Sequence, residues 1–197
     1  MSLSAWDVGN RVLYDLCREH PAHQSDDEIL AKVLLIGRVY AAAIERRRTT
    51  EVGPGSDRFY TETVAPAIRA SKIDEWLNEA RMAIPVTSKA LQAMVEVHGR
   101  VTKLFSEISG LEKRSLASKY LHFHVPELFF IFDSRAVEAM REFSDVIPRA
   151  TRREGSGDNE YRKFVEKVIF LVKLCDEEYG LSMCPREVDN LLLRVNE

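Results

Sequence analysis

The sequence predicts an all-α fold. Three observations lead there. Apolar residues recur at helical spacing along most of the chain. Residues that start and stop helices punctuate those stretches. The composition is that of an ordinary globular protein, with 45% hydrophobic and 30% charged residues over 197 positions. A chain of this length buries a core without disulfide or metal staples. It reads as one helical domain over residues 1–197, with room for two lobes and a cleft near 108–136.

The elements follow in order. Residues 6–19 place Trp6, Val8, Val12, Leu13, Leu16 and Cys17 largely on one helical face, with Ser4 as N-cap. His20-Pro21 stops that helix, because a residue before proline avoids the α region. Ser25 and Glu28 have capping-box spacing and open a helix over 26–46. Its centre, 30–44, is apolar on most sides and predicts the central buried helix. Residues 49–57, TTEVGPGSD, are a loop. Two helices follow, 59–70 and 73–82, the first kinked or divided by Pro66. After Pro85, residues 88–109 form a long amphipathic helix ended by Gly110. A short helix covers 115–124, Pro126 breaks it, and the LFFIF run of 128–132 is too apolar to face water. Asp133 or Ser134 caps a helix over 134–143. The basic stretch PRATRREGSGDN, 148–159, is a loop. Helices over 161–179, closed by Gly180, and 185–195, opened by Pro185, complete the chain.

A formal net charge of −3 argues against a general polyanion binder unless one face is locally basic. Cys17, Cys175 and Cys184 fit no metal-ligand spacing and read as reduced cytoplasmic thiols. The opening run MSLSAWDVGNRVLYD predicts no signal peptide, and no stretch is apolar enough to span a membrane.

The informative segment is 108–136, ISGLEKRSLASKYLHFHVPELFFIFDSRA. It reads as helix, glycine turn, helix, proline break, apolar strip, then an acid opening another helix. Lys113, Arg114 and Lys119 sit near a helix start, where free N–H groups and the helix dipole suit a phosphate. Asp133 follows an apolar wall, a setting that raises a carboxyl pKa.

Ser109-Gly110-Leu111, Ala117 and Phe130-Ile131-Phe132-Asp133 together resemble the hairpin and catalytic-aspartate region of the helix-hairpin-helix DNA glycosylase superfamily. The separation of Ala117 from Asp133 is close to the family spacing. The closing run PREVDNLLL, 185–193, is similar to a divergent bacterial branch with an oxoguanine-glycosylase-like fold. The resemblance implies DNA as partner, Asp133 as catalytic acid, and backbone contacts from Gly110, Lys113 and Arg114. Two departures stand beside it. Glu112 replaces the second hairpin glycine and would repel phosphate. Arg114 or Ser115 stands where bifunctional members carry a Schiff-base lysine, and arginine cannot serve as that nucleophile. Lys119, about one turn further along, is the second catalytic candidate. The resemblance therefore implies a monofunctional enzyme.

Each candidate also has a structural reading. Asp133 caps a helix. Lys119 snorkels from a half-buried helix. His122 and His124 do not share a helical face and so do not chelate one metal; they read as structural histidines, with one beside Asp133. Arg46, Arg47 and Arg48 complement a helix dipole or, with Arg149, Arg152 and Arg153, make a nucleic-acid face. Tyr40, Tyr60 and Tyr120 are stacking candidates for an extruded base, or core packing. Glu127 and Asp133 do not by themselves support a glycoside hydrolase. No phosphate loop, GxSxG, HExxH or CxxC motif occurs, so neither metal nor cofactor is expected. The readings left open are a base-excision enzyme, a non-catalytic nucleotide or nucleic-acid binder on the same fold, and an all-α interaction module.

Overall fold

The computed structural model describes residues 5–46, 57–84, 88–148 and 157–195. Ser4, Arg47, Arg48, Pro85, Arg149, Arg152 and Arg153 lie outside them, as does most of the 49–57 loop. All regular structure among the described residues is helical. The order is α1 (Ala5–Glu19), α2 (Asp26–Val39), α3 (Asp57–Phe59), a π turn (Tyr60–Val64), α4 (Ala65–Arg69), α5 (Ile73–Met82), α6 (Ser88–Ser109), α7 (Arg114–His124), α8 (Ser134–Glu142), α9 (Asn159–Tyr179) and α10 (Pro185–Val195). No described helix is long and apolar enough to cross a membrane.

The central helix is α7, not α2. Every residue from Leu116 to His124 is buried, and α7 packs on α1, α2 and α6. Leu116, Leu121 and Phe123 supply apolar area, each worth roughly 1.5–3 kcal/mol when fully buried. The polar residues between them are accepted because each finds a partner inside. Leu35 and Val39, in the stretch expected at the centre, are exposed. The helix α2 stops at Val39 because Ala41 takes a left-handed φ of 51°, a conformation that costs a non-glycine residue energy. Its N-cap is Ser25 as expected, but the capping box does not form; Glu28 bonds His20 instead.

One other expectation is corrected. Trp6, Val8 and Val12 are exposed, so α1 turns Asn10, Leu13 and Cys17 inward. Near Pro66 the 59–70 stretch is divided: the proline follows a π turn, in which the Ala65 N–H reaches back to the Tyr60 carbonyl. The wider turn accommodates a residue that lacks an N–H and crowds the preceding turn.

The strip between α7 and α8 carries backbone polar groups into the core, and side chains satisfy them. His122 Nδ1 donates to the Phe129 carbonyl at 2.8 Å, and Tyr161 donates to that of Phe130 at 2.9 Å. The Phe132 N–H donates to Ser118 Oγ at 3.0 Å. The strip thus delivers Asp133 against α7 at a fixed height. Asp133 is the N-cap of α8, accepting from the Ala136 N–H at 3.0 Å. The C-terminal helix α10 then packs on α8.

Candidate functional site

The geometry centres on a lysine and a carboxylate held by three helix ends. Lys119 Nζ lies 2.9 Å from Asp133 Oδ2. The lysine side chain is 3% exposed and the carboxylate 24%, so the pair is buried at the amine and open at the acid. Nζ also donates to the Tyr40 carbonyl at 3.3 Å and to Ser115 Oγ at 3.0 Å. Tyr40 is the C-cap of α2. The ammonium therefore sits at the negative end of one helix, while Asp133 sits at the positive end of another. Its charge also lies 5.6 Å from the centre of the Tyr40 ring, within cation–π reach.

These contacts decide the charge of Asp133. Burial would raise its pKa, but the Lys119 charge and the Ala136 and Arg135 N–H groups outweigh burial and hold the carboxyl below its ordinary range. The apolar wall alone suggested the opposite direction. Asp133 is an ionised carboxylate at neutral pH.

A second charged pair from α10 joins this network. Arg186 Nη1 lies 2.5 Å from Asp189 Oδ2 and 3.5 Å from the Tyr40 hydroxyl. That hydroxyl donates to Asn10 Oδ1 at 2.5 Å. Burial raises Asp189 to about 6; Arg186 and Lys119 pull it down and Asp133 pushes it up. Burial likewise pushes Tyr40 up to about 12, against the pull of Arg186. On the next flank, Tyr14 donates to His122 Nε2 at 2.6 Å. A carbonyl only accepts, so His122 carries its proton on Nδ1 toward Phe129, and Nε2 accepts from Tyr14. Burial lowers His122 to about 4 and keeps the ring neutral.

The remaining candidates are placed as follows. Gly110 ends α6 with a left-handed φ of 73°, in open space. Lys113 Nζ donates to the Arg46 carbonyl at 2.7 Å, and so fastens the turn after α2. Arg114 bridges Asp158 at 2.7 Å and Glu112 at 2.6 Å. Asp158 is the N-cap of α9, so Arg114 ties the start of α7 to that helix. His122 spends its two ring nitrogens on the Phe129 carbonyl and the Tyr14 hydroxyl, and His124 donates to the Tyr120 carbonyl. No group of three potential metal ligands occurs among the described residues. Of the three tyrosines, Tyr120 is buried against His23 and Tyr60 against Glu45; Tyr40 alone reaches the Lys119 pair. A surface pocket of about 610 Å³ lies elsewhere, between α4, α5 and α6 around Trp76 and Leu104.

Asn10, Tyr14, Arg186 and Asp189 were missed as site residues. A usable signal was present in α10: Asp189 interrupts an apolar helical run, with Arg186 one turn before it. Nothing local marks Asn10 or Tyr14.

No protein-family model, curated protein or solved structure matches this chain.

Proposed function

We propose that this chain is a DNA-glycosylase-like protein that releases a damaged or mispaired base, with Asp133 at the site of reaction and Lys119 holding it. The supporting observation is the 2.9 Å Lys119–Asp133 pair at the end of the apolar strip, with the Asp133 side chain partly open to solvent. As the bond between base and sugar breaks, its electrons leave with the base and positive charge develops on the sugar. A fixed carboxylate stabilises that charge, an effect often worth about 3–4 kcal/mol in rate. Water then adds to the sugar carbon and gives up a proton, which accounts for the proton taken by the departing base. Lys119, donating to three acceptors, keeps Asp133 ionised and aimed. Water is the nucleophile in this reading, so borohydride should trap no covalent complex; a complex lost in Lys119→Ala would reassign the nucleophile to Lys119. DNA as the substrate rests on the resemblance of 108–136 to the helix-hairpin-helix glycosylases. Gly110, Lys113 and Arg114, with Arg152 and Arg153, are the backbone contacts in this reading.

One observation favours a second reading, a non-catalytic all-α module. Lys119 is 3% exposed and fully partnered, and Lys113 and Arg114 are engaged in internal contacts. The pair would then be a lock between α2, α7 and α8. The deciding experiment is base release from duplexes each carrying one damaged or mismatched base. Release from at least one lesion supports the enzyme; none from any lesion supports the lock.

A further inference from the structure

The C-terminal helix supplies charge to a site built from the middle of the chain. Arg186 reaches the hydroxyl of Tyr40, whose carbonyl and ring face hold the Lys119 ammonium. Asp189 is 7% exposed and makes its close ion pair with Arg186. The groups facing this cluster come from four other elements. They are Asn10 and Tyr14 of α1, Tyr40 at the end of α2, Lys119 and His122 of α7, and Asp133 at the start of α8. With the α10 pair the cluster holds four charged groups: Lys119 and Arg186 positive, Asp133 and Asp189 negative.

We propose that Asp189 and Arg186 are positioning residues of the Lys119–Asp133 site, setting from α10 the electrostatic field in which the Lys119 ammonium and the Asp133 carboxylate work. The proposal rests on the reading that this pair is the functional one. Two features support it besides proximity. The fields of Asp133 and Lys119 are both felt at Asp189, with opposite signs. In addition, the two carboxyls are driven apart, Asp133 below its ordinary range and Asp189 up to about 6. Two carboxyls split in this way by their surroundings are the arrangement by which one site holds an anion and a protonatable acid together. Asp189 itself is buried, so it acts on substrate through its neighbours.

The coupling is mutual and has a sign at Asp189: removing the negative charge of Asp133 leaves the Lys119 pull unopposed and lowers the pH at which Asp189 takes up its proton. Removing the positive charge of Lys119 leaves the Asp133 push unopposed and raises it. Local loosening of the fold would not move the midpoint in opposite directions for the two variants.

The test is an NMR titration of the Asp189 side chain, by its carboxyl carbon resonance, in the wild-type protein, Asp133→Asn and Lys119→Met, without DNA. The expected result is a midpoint lowered by about one pH unit in the first variant and raised by a similar amount in the second. Midpoints that stay together, or move in the same direction, overturn the proposal. If Lys119→Met fails to fold, the downward shift in Asp133→Asn alone decides. Because no substrate is present, a failure to release base would count against the proposed function and leave this result standing. Unmoved midpoints in a protein that does release base would count against this proposal only.

Discussion

Two lysines are buried on opposite flanks of α7, and they are held differently. Lys32 is fully buried and donates to the carbonyls of His20 and Ala22, both at 2.8 Å, just past the end of α1. No carboxylate is within ion-pair distance among the described residues. Its charge is felt at His23 and His124, and Cys17, Asp74 and Glu28 favour the ammonium from beyond ion-pair distance. Burial lowers its pKa. Lys119 uses the same device, an ammonium on the carbonyl at a helix end, but adds an ionised carboxylate partly open to solvent. The first lysine fastens a helix. The second, on the same physical terms, also fastens a helix, and in addition fixes a negative charge where a ligand can reach it. Burial alone therefore does not separate the two lysines; the half-buried carboxylate partner does.

Acid should break the comparison most strongly. Burial lowers His23 and His122 to about 4 and also depresses His98 and His124. Between about 6.5 and 4 the unfolded chain takes up protons that the folded protein refuses, so stability falls as pH falls. Asp189 has the opposite sign. Raised to about 6, it is protonated in the folded protein while still ionised in the unfolded chain, and so contributes stability as pH drops from 6 toward 4. Four histidines outweigh one aspartate, and the net loss across the window should be on the order of a few kcal/mol. Urea unfolding at a series of pH values measures it. Stability flat from 7 to 4.5 would contradict the neutral, buried assignment of the histidines.

The lysines separate in a second measurement, by a smaller amount. Lys119→Met leaves Asp133 without its charge partner and should cost about 2–4 kcal/mol, less than a fully buried pair because the carboxylate meets water. Adding Asp133→Asn should recover part of that loss, a coupling of about 0.5–3 kcal/mol. Lys32→Met removes a donor from two carbonyls and should cost about 1–3 kcal/mol. No such recovery is expected when it is combined with Asp133→Asn. Equal coupling of both lysines to Asp133 would erase the distinction.

The same contrast explains what could be read from the sequence. The bounds of α6 and α10 and the capping role of Asp133 were legible, because caps, prolines and glycines act locally. The central position of α7 was not. Ser118, Lys119, His122 and His124 make its pattern look half-exposed, and their partners, Tyr14, Tyr40 and the 128–132 strip, come from distant segments. The length of α2 was overestimated because its end depends on Ala41 adopting a left-handed turn that the residue type disfavours. The Lys119–Asp133 pair was legible only as two separate candidates; α10 showed the polar interruption at Asp189, but its neighbours across the core are set by packing.

The central claim is that Asp133 works through its charge and not only as a helix cap. Single-turnover base release by the wild-type protein and by Asp133→Asn, on whichever lesion the wild-type protein processes, tests it most directly. Asparagine caps a helix nearly as well as aspartate, so the folded state should survive with little loss of thermal stability. It carries no charge, so release should slow by about 100- to 1000-fold. A variant that is equally folded and releases base at the wild-type rate would contradict the account and leave Asp133 as a cap.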